Sequence, residues 1–404
     1  MRHLIAAASV LALAACGMNG TDDTDEKEQS AVADHMSVEE NGADAMHSND
    51  PAPGEQASVD IPDPEDRPIM QAQVVLDRHG FGPGVIDGKM GMSTKNAIEG
   101  FQEANDLEVT GKLDEATKTA LAQWNNIPAT RVVTIPSDWG DRQYRDVPDS
   151  PAEQAKLQRL GYENLDERIA ERFHTTIDTL KMLNPDGRPA GAKAAPASPS
   201  AASPTPTPTS TSSAGEDVGT QEQASYFTAG QQIRVPNIGA DRIDGSSIRD
   251  KGWQATLQSL GVGTQQPHLA KIVVDKSGDW LKGYDKDGKL VVEFTVTSGS
   301  SHDPLPIGTW GITGISHNPS FSYDPDLFWD VPDSDAKQKL PPGPNGPVGV
   351  VWIDLTKEHY GIHGTSAPET IGRAQSHGCV RLTNWDAARL AQMVDTQTKV
   401  IFQA

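Results

Sequence analysis

Two stretches of this 404-residue chain are unsuited to a folded core. The folded regions are therefore expected outside them. Residues 17–66 carry fifteen Asp and Glu residues against the single Lys27, and residues 190–225 are rich in Ala, Pro, Ser and Thr. Such segments bury too little apolar surface to offset the entropy lost on ordering. We therefore expect a disordered acidic tether over 16–66 and a solvated insert over 190–225. Folded regions are predicted over 67–125, 150–238 and 268–403.

The net charge of the chain is -22, and the acidic stretch supplies about two thirds of it. The remaining segments are only mildly acidic. Nucleic-acid binding needs a clustered basic face, and the sequence offers none. We expect no nucleic-acid partner.

The N-terminus predicts an export signal. Arg2 and His3 precede an apolar run over residues 4–15, which is too short to span a bilayer and fits the core of a signal peptide over 1–15. Residues 13–17, Leu-Ala-Ala-Cys-Gly, resemble a bacterial lipobox. That resemblance implies cleavage before Cys16 and lipid attachment to its thiol; the alternative is an ordinary signal peptide with an incidental Cys16. The expected location is the periplasmic side of the envelope, on a lipid anchor. Gly17 favours the outer membrane over the inner.

Residues 67–125 show helical spacing of apolar side chains after Pro68, interrupted by Gly-rich turns. Ser93 and Asp114 are the predicted N-caps of a second and a third helix. The spacing of Gly, Asp, Thr, Ala, Ile and Phe over residues 84–102 resembles the small helical peptidoglycan-binding domain of cell-wall enzymes. The alternative is a three-helix spacer without a ligand.

Residues 150–238 predict two short helices, over 169–174 and 177–183, and a closing strand over 233–236. Together they resemble a LysM-like module, which implies glycan binding. The insert over 190–225 is a departure from that family.

Residues 268–403 are rich in strand signals. Alternating β-branched residues predict strands over 271–274 and 290–296, with a hairpin turn between them at 286–289, and a third strand over 348–354. One helix is predicted from Asn384 onward. His302 and His317 fall in expected loops, and turn-rich loops over 318–325 and 340–347 are expected to cap a cleft. The predicted fold is a multidomain α+β chain, with a mostly β sandwich or barrel-like last domain.

The chemistry of the last domain depends on one thiol. Without Cys16, Cys379 is the sole cysteine in an oxidising compartment, so it is either a small buried hydrophobe or a reactive group. A cysteine nucleophile needs a nearby imidazole as its base. No histidine follows Cys379, so the base must lie upstream, unlike the order in papain-like enzymes. His363 and His377 are both candidates.

His363-Gly364-Thr365 followed by Ser376-His377-Gly378-Cys379-Val380-Arg381 resembles the signature of the L,D-transpeptidase (YkuD-type) catalytic domain. The resemblance implies that Cys379 is the nucleophile and His363 the general base, with the carbonyl of Gly364 fixing its tautomer. Ser376, His377 and Gly378 would form the oxyanion turn and pocket. Arg381 would meet a substrate carboxylate or form a structural ion pair.

The reaction so implied is acyl transfer from a tetrapeptide stem of peptidoglycan, cleaving the bond between meso-diaminopimelate and D-Ala. A stem amine as acceptor gives 3-3 cross-links, a lysine of an envelope protein gives protein attachment, and water gives L,D-carboxypeptidase activity. A different class is a catalytically inactive wall-anchoring lipoprotein. We expect no cofactor. His359 and His363 suggest a zinc site only formally, because Gly361 and the strand-like run before it disfavour a shared helix face. No metal is predicted.

Overall fold

The computed structural model describes residues 61–142, 144–193, 225–239, 242–331 and 335–404. The predicted signal peptide, Cys16, the tether up to residue 60 and residues 194–224 of the insert lie outside these ranges. In the described ranges, no helix combines the length and apolarity needed to cross a membrane.

The described chain forms eight α-helices and fourteen β-strands. The helices are α1 Pro68–Arg78, α2 Met92–Ala104, α3 Glu115–Leu121, α4 Pro151–Gln154, α5 Leu165–Arg172, α6 Ile177–Leu183, α7 Lys251–Leu260 and α8 Asn384–Met393. The strands are β1 Phe81–Gly82, β2 Thr130–Thr134, β3 Gln232–Pro236, β4 Lys271–Asp275, β5 Trp280–Tyr284, β6 Leu290–Thr295, β7 Thr297–Ser298, β8 Gly308–His317, β9 Phe321–Tyr323, β10 Gln338–Leu340, β11 Val351–Leu355, β12 Gly361–His363, β13 Val380–Arg381 and β14 Lys399–Gln403.

Helices α1 to α3 form the small helical region expected from the apolar spacing. Asp114 caps α3, since its side chain accepts a hydrogen bond from the backbone of Thr117. The prediction that Ser93 caps α2 is wrong: that helix begins at Met92, and Gly91 holds the cap position without a side-chain hydrogen bond. Phe101 is buried at the centre of the region, an environment that stabilises a fold by about 1.5–3 kcal/mol per large apolar side chain.

A second small unit contains the antiparallel strand pair β2 and β3. Helices α5 and α6 lie between these two strands in sequence. The closing strand lies where the sequence predicts it. Its partner β2, at Thr130–Thr134, lies upstream of the expected boundary at residue 150. This unit shares one hydrophobic core with the helical region, so the two form one folded body and not two independent domains.

The third region is a ten-stranded sheet in the order β1-β6-β5-β4-β14-β8-β11-β12-β13-β7. The long strand β8 continues from one half to the other, because its first residues pair with β14 and its later residues with β11. Helices α7 and α8 and both halves of the sheet contribute to a common core. The predicted hairpin turn at 286–289 joins β5 to β6, not β4 to β6 as expected. Strand β5 contains Lys282 and Gly283, so its alternation of apolar and polar residues is too weak to predict a strand from the sequence.

The three regions meet at a buried cluster of charged groups. Asp77 of α1 accepts two hydrogen bonds from the guanidinium of Arg389 on α8, at 2.9 and 3.0 Å. The Nδ1 atom of His174, directly beyond α5, lies 3.2 Å from the same carboxylate, and its ring stacks on Trp385. Strand β1 also pairs in parallel with β6. The helical region is therefore fixed on the sheet by both backbone and side-chain contacts.

Candidate active site

Cys379 directly precedes the short strand β13, which lies between β12 and β7. Ile362 is paired with Val380, and His363 with Arg381. Side chains alternate between the two faces of a strand. Since Ile362 and Val380 are fully buried in the core, His363, Arg381 and Cys379 share the opposite face. The fold thus brings together three residues that the sequence singled out.

His363 is held in one orientation by its neighbours. Its Nδ1 atom donates a hydrogen bond to the carbonyl oxygen of Gly364 at 2.7 Å, and its ring stacks on that of Trp352, with the centroids 5.5 Å apart. Burial and the positive charge of Arg381 lower the pKa of His363 to about 3. The imidazole is therefore neutral at physiological pH, with Nε2 left to accept a proton.

The thiol of Cys379 is also neutral in this environment. Burial raises its pKa, while a backbone contact with Gly361 and the positive charge of Arg381 oppose that rise. Its Sγ atom lies 3.7 Å from the carbonyl oxygen of His359. A neutral thiol must give up its proton as it attacks, and a neutral imidazole on the same face suits that transfer.

The turn that carries the thiol is clamped by Ser376. Its hydroxyl donates to the carbonyl oxygen of Cys379 at 2.6 Å and accepts from the backbone N–H of Gly299 at 2.6 Å. Gly378 has a φ of +96°, and a Cβ atom there would lie 2.5 Å from the ring of Tyr360. Only glycine fits this position without strain. Gly364 is equally confined, because a Cβ atom would collide with Asn384.

His377 contacts a loop rather than the strands. Its Nε2 atom lies 2.8 Å from a carboxylate oxygen of Asp330, and its ring packs edge-on against Phe328. The neighbouring Trp329 is 59% exposed and stacks on His302. This loop, residues 324–331, borders the Cys379 turn. The sequence did not single out Phe328, Trp329 or Asp330. The one signal for them was an aromatic pair in a Pro- and Asp-rich segment.

Arg381 is half-buried beside the thiol. Burial lowers its pKa, and Cys379 and Asp330 oppose that effect. Its buried Nε atom has no hydrogen-bond partner among the described residues, where no ion pair of Arg381 is present either. The arrangement leaves guanidinium donors available to a substrate anion.

The structure corrects one expectation about the surroundings and adds contacts to another. His317 is not a loop residue: it ends β8, and its ring stacks on Trp253 of α7 at 4.1 Å. The loop over 340–347 is held by the segment before α5 and by α5 itself, since Asn345 donates to Gly161 and Glu167. Within the described ranges, no group of three or more His, Cys, Asp or Glu residues is placed to hold a metal ion.

Two family models match the chain. Residues 270–402 match the L,D-transpeptidase catalytic domain (YkuD), and residues 65–121 match the "Putative peptidoglycan binding domain". The chain therefore carries an L,D-transpeptidase catalytic domain and, before it, a domain of the peptidoglycan-binding type.

Individual relatives agree with the first match. A Bacillus licheniformis protein named "Putative L,D-transpeptidase YkuD" is 51% identical over 130 residues, which are 32% of this chain and 63% of that protein. Its Bacillus subtilis namesake is 51% identical over 57 residues, which are 14% of this chain and 35% of that protein. This chain thus spans less than two thirds of either relative. A solved L,D-transpeptidase from Mycobacterium smegmatis is 24% identical, with a TM-score of 0.28, over 33% of this chain and 58% of that one.

Proposed function

We propose that this protein is an L,D-transpeptidase that acts on peptidoglycan with Cys379 as its nucleophile. The observation that carries the proposal is the shared sheet face of Cys379, His363 and Arg381, inside a segment that matches the L,D-transpeptidase catalytic domain. The domain of the peptidoglycan-binding type at 65–121 supports the same substrate.

In the first half-reaction, the Sγ atom of Cys379 attacks the carbonyl carbon at the L-centre of meso-diaminopimelate in a tetrapeptide stem. The thiol proton passes to Nε2 of His363. Backbone N–H groups of the turn at 377–379 stabilise the oxyanion, and Arg381 pairs with a carboxylate of the stem. The C–N bond then breaks, D-Ala leaves with the proton from His363, and a thioester remains.

In the second half-reaction, an amine attacks the thioester and passes its proton through His363 to the departing thiolate. An amine from another stem produces a 3-3 cross-link. A lysine of an envelope protein would produce protein attachment, and water would release the tripeptide as an L,D-carboxypeptidase does. All three outcomes share the first half-reaction, so the acceptor must be found by experiment.

Incubation of the full chain with purified peptidoglycan, followed by analysis of the muropeptides, tests this function. Release of D-Ala together with new 3-3 cross-linked dimers is expected, and Cys379→Ala should abolish both while its circular dichroism stays unchanged. Tripeptides without dimers would identify the carboxypeptidase. Full activity in Cys379→Ala would refute the mechanism.

The inactive wall-anchoring lipoprotein remains the competing function. A thiol-reactive probe at neutral pH separates the two, because an anchoring scaffold has no need of a reactive Cys379. Labelling of Cys379 that is suppressed by prior incubation with a carbapenem supports the enzyme. A Cys379 that reacts with neither reagent supports the scaffold.

We further infer that the unit formed by β2, α5, α6 and β3 is a LysM-like module, because α5 and α6, with the short α4 before them, lie in sequence between its paired strands. Binding of chitin oligomers would test its glycan affinity. We also propose that Cys16 is lipidated and anchors the protein on the periplasmic side of the outer membrane. Cys16→Ser should then release the protein from the membrane fraction, and its retention there would oppose the proposal.

A further inference from the structure

A cavity of about 800 Å³ lies away from Cys379. It is lined by α5, α7, the end of β2 and the loop at Pro342. Its size suits a small organic ligand. Four arginines line it, Arg142, Arg159, Arg168 and Arg172, whereas Asp138 is its one acidic residue among the described lining. This cationic lining is unexpected in a chain with a net charge of -22.

Arg168 is the central group of this cavity. It is 94% buried, since its relative exposure is 6%, and its guanidinium lies 3.9 Å from the centroid of the Trp139 ring. Among the described residues its buried Nε atom has no hydrogen-bond partner and no carboxylate forms an ion pair with it, although the phenol of Tyr144 is a polar neighbour. A buried cation normally has a counter-charge, because desolvation disfavours the charged form.

The acidic residues Glu167 and Glu171 of α5 form no ion pair with Arg168. Glu167 accepts a hydrogen bond from Asn345 at 2.7 Å, and Glu171 accepts one from Asn384 at 2.7 Å. Burial raises the pKa of Glu171 to about 7, so it is a poor counter-charge. Asp138 is itself paired with Arg142 at 3.3 Å. Among the described residues, Arg168 therefore has the Trp139 ring and the Tyr144 phenol as neighbours but no counter-charge.

A neutral hydroxyl also lines the cavity. The hydroxyl of Tyr162 lies 3.5 Å from that of Ser259, and both residues line the cavity. Burial and the hydrogen-bonded carboxyl of Glu171 raise the pKa of Tyr162, so the phenol stays protonated. Planar guanidinium donors pair well with carboxylate and phosphate oxygens. The aromatic wall at Trp139 offers contact area for an apolar ligand body.

We propose that this cavity is a binding site for a small anion, a carboxylate or a phosphate, that pairs with the guanidinium of Arg168. The site is separate from the catalytic face and does not depend on the acyl-transfer mechanism. Two sources fit this chemistry: a carboxylate on a wall fragment or free phosphate.

Calorimetric titration of the full chain with two probes, N-acetylmuramic acid and inorganic phosphate, tests the site. At least one probe should bind with a Kd of about 1 mM or tighter. Binding should weaken in high salt, because salt screens the charge. Saturation by the sugar acid alone identifies a carboxylate site, and saturation by phosphate alone identifies a phosphate site. Absence of saturable binding by both probes overturns the proposal.

Arg168→Gln should weaken binding about tenfold, as expected for one lost charge-assisted contact. Arg145→Gln, a matched change at an exposed arginine outside the cavity, should bind as the unaltered chain does. Equal affinity in folded Arg168→Gln would refute the assignment. Should Arg168→Gln fail to fold, Ala255→Trp decides: Ala255 is an exposed residue of α7 that lines the cavity, and a bulky ring there should block entry. Unchanged binding in Ala255→Trp would equally refute the site.

Discussion

Asp77 and Arg389, 312 positions apart in sequence, form a buried bidentate ion pair. The pair joins α1 of the helical region to α8 of the catalytic domain. The guanidinium and His174 lower the pKa of Asp77, although burial alone would raise it. Its stabilising effect is therefore present above the pKa of an unfolded aspartate, and it is lost only as the pH falls towards the lower folded-state pKa.

Asp77→Ala should reduce the free energy of unfolding by about 3–5 kcal/mol, because it leaves Arg389 buried without its counter-charge. Urea denaturation at pH 7 measures this loss. Glu115→Gln is the control, since it removes an exposed ion pair with Lys118 and should change stability by less than about 1 kcal/mol. A loss in Asp77→Ala as small as that of the control would show that the junction contributes little.

His363→Ala should lower the rate of D-Ala release nearly as far as Cys379→Ala does, because base and nucleophile act as a unit. His377→Ala should lower this rate much less, because the His377 ring contacts Asp330 and Phe328 of the loop. Turnover of a tetrapeptide muropeptide, measured by chromatography, compares the variants. A larger loss in His377→Ala than in His363→Ala would mean that the base has been assigned to the wrong histidine.

Arg381 should control the ionisation of the thiol. Its positive charge lowers the pKa of Cys379 and opposes burial, so Arg381→Gln should move the thiol pKa further up. The midpoint for alkylation of Cys379 by iodoacetamide should then shift to higher pH. Arg373→Gln, at an exposed arginine nearby, should leave the midpoint in place. A shift to lower pH in Arg381→Gln would contradict this electrostatic assignment.

Glu293 on β6 should destabilise the fold increasingly as the pH rises. It is almost fully buried beneath Gly100 of α2, and burial raises its pKa from 4.5 to about 8. Between those two values the folded protein holds a proton that the unfolded chain has lost, so stability falls with rising pH. Glu293→Gln cannot ionise and should raise Tm at pH 8 by several degrees, with little change at pH 5.

Thermal unfolding of Glu293→Gln at both pH values checks this prediction, and Glu108→Gln, at an exposed glutamate, is the control. The same change in Tm at pH 5 and pH 8 would argue against a protonated Glu293. Lys282, which lies 3.7 Å from Glu293, keeps Glu103 as a partner in the variant.

The residues that the sequence singled out lie on one face of the sheet, whereas their surroundings were not predicted. Cys379 and His363 stand in a compact motif, and their side of the strand follows from alternation. In contrast, Asp330 and Trp329 reach the site through the folding of a loop, which no periodicity predicts. Strand β1 has two residues and exists only through its pairing with β6, and the contact between Asp77 and Arg389 joins distant segments. Such features follow from tertiary pairing, not from local pattern.

The pairing of Phe81 and Gly82 with β6 has a consequence for how this catalytic domain can be handled. An outermost strand with free backbone N–H and C=O groups is a template for intermolecular sheet growth. Here β1 of the helical region pairs with part of that edge, at Glu293 and Phe294. A shortened chain that begins at residue 242 would lose this pairing, and the exposed backbone groups of β6 would then be open to self-association.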